Sequence, residues 1–409
     1  MKKERYEPIH PFDFDTLIDR NGTHAVGLEG YQKYLFGDME LRLDVPESDL
    51  VHMWVADMDF QTAPVIKEAI LDRIDHGIFG YTKVDDPTYY DAFVSWSEEN
   101  YGHAFNKQHI LMTSGIIPAL FEIIRLRCKK GDKLLILTPS YAFFKHAADF
   151  HGVEVVSSEL QYEDGEYQID FEDVKTKVRD PNLNLCFFCS PHNPTGRIWS
   201  DEELMRFGEI CLEQGVTIVS DEIHCDLLRQ GKRFSPMAKI FPESKEIITC
   251  MSTSKTFNLA GLLTAFIIIP NEGFRNIWQN DNFGLCNPLS IAAAHAAYQD
   301  GKVWLDALKR YLDDNFLFLK SFLEQYLPQA HFTIPDATYL AWIHIGAYFD
   351  KGEDLGKFFV EKAGVVLEGG TMFVENADGY IRLNIACPRE KLELALNRMQ
   401  EAIERRTKG

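Results

Sequence analysis

Lys255 lies in MSTSKTFNLAGL, an amine between two small hydroxyl residues at the end of an apolar run. A lysine in such a place needs either a route for its head group to reach water or a task for its amine. Other apolar runs end in the same manner: KLLILTPSY delivers Tyr141, FFCSPHNPTGR delivers Asn193, and TIVSDEIH delivers Asp221 and His224. An amine, a carboxylate, an imidazole, a carboxamide and a phenol are the groups of nucleophilic and proton-transfer chemistry. A fifth stretch, MTSGIIPAL, places Thr113, Ser114 and Gly115 at the start of a helical pattern, where hydroxyls and open backbone amides attract an anion such as a phosphate.

Each feature also has a structural explanation. A strand-end Asp followed by Glu caps helices, NPTG makes a good turn without a ligand, and His224 could be a satisfied core histidine. Separate structural roles do not account for the whole series falling on successive strand ends. In an open α/β sheet the ligand crevice lies outside the carboxyl ends of the strands, so these side chains can converge although they are far apart in sequence.

The elements that must position them are legible as short apolar runs alternating with helical patterns from about residue 107 to 270. The runs KLLILTPSY, VEVVSSEL, LNLCFFCSP, VTIVSDE, EIITCMS and TAFIIIP read as strands of a mostly parallel sheet buried on both faces. GIIPALFEIIRLRCKKGD just before the first of them keeps a helical period, with Pro118 tolerated in the first turn. After Asn287 the pattern changes to long helical stretches, then two strand-like pieces, TYLAWIHI and GYIRLNIACP, and a last helix from Arg389. The division expected is an N-terminal arm with part of a small domain at 1–58, a large α/β/α domain at 59–290, and a smaller α+β domain at 291–409. The first sixty residues, irregular and rich in Gly, Pro and Asp, are expected to wrap across the other elements.

With 409 residues, 45% hydrophobic and 12% aromatic, the chain can bury a large core. Forty-two basic against 62 acidic residues give a net charge of -20. That repels nucleic acid and anionic membranes, so neither is expected as a partner. The apolar run at Ala265 to Pro270 is too short to span a bilayer, the opening MKKERYEPIHPFDFD has no apolar stretch behind it, and a cytoplasmic protein with reduced thiols is expected. Cys186 and Cys189 form the one C-x-x-C, but in a strand a separation of three sends their side chains to opposite faces. No metal site is expected.

The series TSGIIPAL, PSYAFF, SPHNPTGR, SDEIHCDL, STSKTFNLAGL and IRLNIACPR, with the spacing of Asn193, Asp221 and Lys255, resembles the pyridoxal-phosphate (PLP) enzymes of the aspartate aminotransferase fold, fold type I. Within them it is similar to the cystathionine β-lyase or C–S lyase branch, often labelled MalY/PatB-like. WVADMDFQTAPVIKEAI and GIFGYT near the front extend the likeness to nearly the whole chain. SDEIH points to the lyase branch, because typical aminotransferases of this fold carry a tyrosine where His224 stands. The resemblance implies that Lys255 is the Schiff-base lysine, Asp221 the partner of the pyridine nitrogen, and Asn193 a donor to the ring hydroxyl oxygen. It implies that Tyr141 stacks on the ring, with His224 beside the cofactor, and that Ser114, Gly115, Ile116, Ser252 and Ser254 surround the phosphate. Tyr81 would reach that phosphate from a neighbouring subunit, which implies a homodimer with the site at its interface. Arg382, with Asn193 and Tyr81, would bind the substrate, its planar fork gripping the carboxylate.

The chemistry implied is proton abstraction at Cα of an amino acid, followed by β-elimination of a thiolate to give a thiol, pyruvate and ammonia. The substrate expected is cystathionine, cysteine or another S-substituted cysteine. An aminotransferase on the same scaffold is the alternative, as is a lyase with an added protein-binding role in regulation. Departures from the branch pattern cluster toward the substrate: Gly27-Leu28-Glu29 replace a Lys-Trp-Asp cluster, the TYLAW strand ending in Trp342 is followed by Ile343-His344 where an apolar residue and an acid are usual, and Glu368 with two glycines stands in a loop usually rich in Pro and Gly. Leu263 occupies a position where many aminotransferases keep a phosphate-binding arginine.

Overall fold

The computed structural model describes residues 12–163 and 165–408, so the first eleven residues of the expected N-terminal arm lie outside the described residues. Seven strands form the central sheet: β1 (Ile110–Thr113), β2 (Lys133–Thr138), β3 (Glu154–Glu159), β4 (Leu183–Cys189), β5 (Thr217–Asp221), β6 (Ile247–Met251) and β7 (Ala265–Ile268). Their spatial order is β1-β7-β6-β5-β4-β2-β3.

Alternating side chains divide between two apolar layers. Leu134, Ile136, Phe187, Cys189, Val219 and Ile248 join one buried cluster, whereas Leu135, Leu137, Cys186, Phe188, Ile218 and Ile247 join another. A strand whose two faces are both covered must be apolar at successive positions, which is why these runs lack alternation. Cys186 and Cys189 face opposite layers as expected, and no cluster of three or more metal-ligating side chains occurs among the described residues.

The sheet is mostly parallel, as expected, and two of its strands depart from the reading of the apolar runs. The run TAFIIIP forms β7, which pairs antiparallel with both β6 and β1. Apolarity reports burial on both faces but not strand direction, and the chain between β6 and β7 holds only two short turns, Thr253–Thr256 and Ala260–Leu262, with no helix to cross back to the other end of the sheet. β1 itself, only half-buried at three of its four positions, lacks the continuous apolar run that marks its neighbours.

A second sheet of β8 (Leu340–His344), β9 (Glu368–Gly369) and β10 (Tyr380–Asn384), ordered β8-β10-β9, is antiparallel. Helices Leu355–Ala363 and Arg389–Lys408 contribute Phe359, Leu396 and Met399 to its core. The 25-residue helix Lys302–Tyr326 serves two cores: Trp304, Leu308 and Leu312 pack in one cluster, and Phe316, Leu319 and Leu323 pack under the second sheet. The front of the chain does cross between elements. Val51–His52 pairs in parallel with Val365–Val366, and Met53 enters the second core just before Trp54, Val55 and Ala56 reach the crevice. Among the described residues no helix is long and apolar enough to cross a membrane.

Candidate active site

β1, β2, β4, β5 and β6 run parallel or return to the same edge of the sheet, so their carboxyl ends open on one cavity of about 380 Å³. Ser114, Gly115, Ile116, Tyr141, Asn193, Asp221, His224, Ser254, Lys255 and Arg382 all line it. Ser252 stands behind this wall, and Tyr81 is elsewhere on the surface, 97% exposed.

Lys255 sits in a helical turn, Thr253–Thr256, that follows β6 directly. The turn is fixed from two sides. Ser252 Oγ accepts from Ser254 N at 3.0 Å and donates to Thr264 O at 2.6 Å, while Thr256 Oγ1 donates to Asp226 Oδ2 at 2.8 Å. Asp226 also accepts from Trp96 Nε1 at 2.9 Å and from the Tyr101 hydroxyl, which ties the turn to helix Asp91–Tyr101. Thus held, Lys255 Nζ donates to Ala56 O at 2.7 Å, a carbonyl that also accepts from the Tyr339 hydroxyl at 2.8 Å. Burial, then the nearby Arg382 charge, lowers the lysine to about 8, against pulls from Asp57, Asp221 and Glu368.

At the floor, Asp221 ends β5 almost fully buried and accepts from Ile223 N at 3.2 Å. Burial raises its carboxyl to about 6, opposed by that hydrogen bond and by Lys255. His224 is buried with Nδ1 unpartnered, and desolvation followed by the Lys255 and Arg382 charges lowers it to about 3, so its ring is neutral. Tyr141 is held by pairing with Phe373 across a two-residue ladder, and burial raises its phenol well above the ordinary value.

One end of the cavity suits an anion. Helix Ile116–Arg127 begins at Gly115 with no side-chain cap, leaving its first N–H groups unsatisfied by the chain beside the Ser114 and Ser254 hydroxyls. Gly115 has φ +151°, a backbone conformation that glycine adopts without a Cβ penalty. At the opposite end Arg382 Nη1 donates to Asn193 Oδ1 at 2.9 Å and Nη2 to Trp54 O at 3.4 Å, while an ion pair joins it to Glu368.

The sequence profile described as aminotransferase class I and II matches residues 48–399. The chain belongs to that family. It is 38% identical to cystathionine beta-lyase PatB of Bacillus subtilis over 96% of this chain and 100% of that protein, and 31% identical to protein MalY of Escherichia coli over 96% and 99%. A solved PLP-bound C-S lyase from Staphylococcus hominis, complexed with the inhibitor L-cycloserine, matches with a TM-score of 0.93 and 48% identity over 96% of this chain and 98% of that one. The expected aspartate aminotransferase-like α/β fold is borne out, and so is the resemblance to the lyase branch of this aminotransferase family.

The residues present fit a flat aldehyde cofactor with a phosphate arm. The cavity offers an amine with a lowered pKa, a buried carboxylate, an unpartnered imidazole nitrogen and an uncapped helix start. Sequence reasoning did not place Tyr34, Trp54, Val55, Ala56 and Phe143, which also line the cavity. Tyr34, Trp54 and Phe143 form an aromatic series, with ring centroids 5.0 Å apart for Tyr34 and Trp54 and 6.5 Å for Tyr34 and Phe143. Tyr34 and Trp54 belong to segment 26–56, whose elements are five residues or shorter, so periodicity carries no signal for it; Phe143 stands in the first turn of helix Ala142–His151.

Proposed function

We propose that this chain is a PLP-dependent carbon–sulfur β-lyase that cleaves cystathionine, cysteine or a related S-substituted cysteine to a thiol, pyruvate and ammonia. The observation that carries the reading is the Lys255 amine, lowered to about 8 and poised between the Asp221 carboxylate and the Arg382 guanidinium in one cavity. Bound PLP supplies an electron sink for the electrons left at Cα when its proton is removed. In this reading Asp221 keeps a negative charge beside the pyridine nitrogen, and Asn193 donates to the ring hydroxyl oxygen. Tyr141 covers the ring face as a neutral phenol. Ser114, Gly115, Ile116 and Ser254 hold the phosphate with amides and hydroxyls, while Ser252 stands behind them and fixes Ser254 through its backbone N–H, no arginine being needed where Leu263 stands.

Lys255 would hold the cofactor through its amine, and the same amine, when free, would take the Cα proton; a side-chain acid or base so placed contributes on the order of 10²- to 10⁴-fold. Arg382 orients the substrate by its carboxylate, and the aromatic side chains of Tyr34, Trp54 and Phe143 give the cavity an apolar wall. His224, neutral and buried, packs beside the cofactor without adding charge.

The same reading makes the molecule a homodimer in which Tyr81 of one subunit completes the site of the other. Support comes from an exposed apolar surface: Thr82 O accepts from Cys286 N at 2.9 Å, and the two segments so joined expose Ile78, Phe79, Tyr81, Phe283 and Leu285. The division at 1–58, 59–290 and 291–409 is retained, with the helix Lys302–Tyr326 shared between the cores. Eight free cysteines favour a reducing compartment such as the cytoplasm.

Purified protein loaded with PLP and given cystathionine or cysteine is expected to release pyruvate, and Lys255→Ala to release none above background. Amino-group transfer to a 2-oxo acid without pyruvate would favour the aminotransferase instead.

A further inference from the structure

Glu368 and Arg382 stand directly opposite one another on β9 and β10. Directly opposite residues of an antiparallel pair project from the same face, so strand register brings this carboxylate to this guanidinium. Both side chains are buried, at 6% and 3% exposure, and both line the cavity. Phe373 covers the guanidinium, its ring centroid 5.1 Å from Cζ. With Nη1 on Asn193 and Nη2 shared between Glu368 and Trp54 O, only Nε is without a partner. A substrate carboxylate arriving here meets a fork whose charge is already balanced. Two carboxylates on one buried guanidinium repel each other strongly, because little water is present to screen them.

We propose that Glu368 is an internal carboxylate that occupies the Arg382 fork in the substrate-free enzyme, and that the substrate carboxylate displaces it while Glu368 takes up one proton from solvent. The inference rests on Arg382 being the carboxylate-binding group of the reading above. The balance is simple: one carboxylate leaves the ion pair and gains one proton, another enters the pair, and no covalent bond to carbon changes. Glu368 is therefore a positioning residue that sets how tightly the site grips its substrate. Burial pushes the Glu368 carboxyl up, while Arg382 and then Lys255 pull it down; exchanging Arg382 for a second anion removes the larger restraint. The other groups facing this corner are Tyr34 and Tyr141, whose phenols burial keeps neutral, with neutral His224, Asp221 and Asp57 acting on it through Lys255, Arg382 and Tyr141.

The test uses the PLP-loaded enzyme and 3-(methylthio)propionate, the skeleton of S-methylcysteine without its amine, so that no amine proton enters the balance. Calorimetry in buffers of different ionisation heat is expected to find uptake of about one proton on binding, and a Kd that rises with pH by up to about tenfold per unit. Glu368→Gln and Glu368→Ala are both expected to bind the probe more tightly at neutral pH, with no proton uptake and a flat pH profile. Equal or weaker binding by both variants, or proton uptake that survives in them, overturns the role of Glu368. If instead Arg382→Gln leaves probe binding intact, the carboxylate-binding assignment of Arg382 itself fails.

Discussion

Next to Asp221, on the other face of the strand end, Glu222 is a fully buried carboxyl whose Oε1 accepts from Ser220 Oγ at 2.8 Å and from Met237 N at 3.0 Å. Burial raises it to about 8 against those hydrogen bonds. The folded chain thus keeps a proton there up to about pH 8, whereas the unfolded chain releases it near the ordinary 4.5. Because the folded state binds more protons in that window, Glu222 makes the fold lose stability as pH rises from 4.5 to 8. Glu222→Gln keeps the shape and removes the titration. Urea unfolding is expected to give equal stabilities near pH 4.5 and a growing advantage for the variant, at about 1.4 kcal/mol per pH unit up to pH 8. Parallel stability curves would contradict this. Asp221 was readable because a strand fixes where its last side chain goes; Asn193 and Lys255 lie four residues beyond Cys189 and Met251, near enough to the strand ends to be expected at the crevice, but the turn that aims Lys255 is fixed by contacts of Ser252 and Thr256. Glu368 was visible as a departure, but its partner follows from the register of β9 on β10, which no local pattern encodes.

At the level of elements, the join between β1 and helix Ile116–Arg127 carries the anion end of the cavity. A Cβ at Gly115 would lie 3.5 Å from Pro118 Cδ, an ordinary contact, so the obstacle to substitution is the backbone angle of +151° and not space. Relaxing that angle re-aims the first N–H groups of the helix. Gly115→Ala is expected to cost about 1–3 kcal/mol, read as a roughly tenfold to hundredfold higher PLP concentration for half-saturation in a titration followed by visible absorbance. Unchanged affinity would detach this helix start from the phosphate. The apolar strands of the sheet were legible from composition alone, since burial on both faces forces it. The direction of β7 was not, because an apolar run reads the same in either sense; it shows only in the antiparallel pairing with β6 and β1. β1 escaped because an edge strand half-open to solvent needs no continuous apolar run.

For the whole molecule, a chain of net charge -20 gathers its anion-binding groups into one crevice and leaves Tyr81 and Phe283, 97% and 90% exposed, on an apolar surface. If that surface joins two copies, each site draws residues from both. Mixing Lys255→Ala with Tyr81→Ala subunits under exchange conditions is then expected to restore roughly a quarter of wild-type pyruvate release, through the one intact site of the mixed dimer. No recovery, with exchange verified by mass, would place Tyr81 outside the site. Such a composite site is beyond what one chain's sequence can position, since no pattern within it specifies the partner's orientation. The proposed chemistry depends on one amine, that of Lys255, holding the cofactor. Loading the protein with PLP, reducing with borohydride, digesting and mapping the added mass tests this most directly. The account predicts the label on the peptide containing Lys255; a label absent there, or spread over surface lysines, would contradict it.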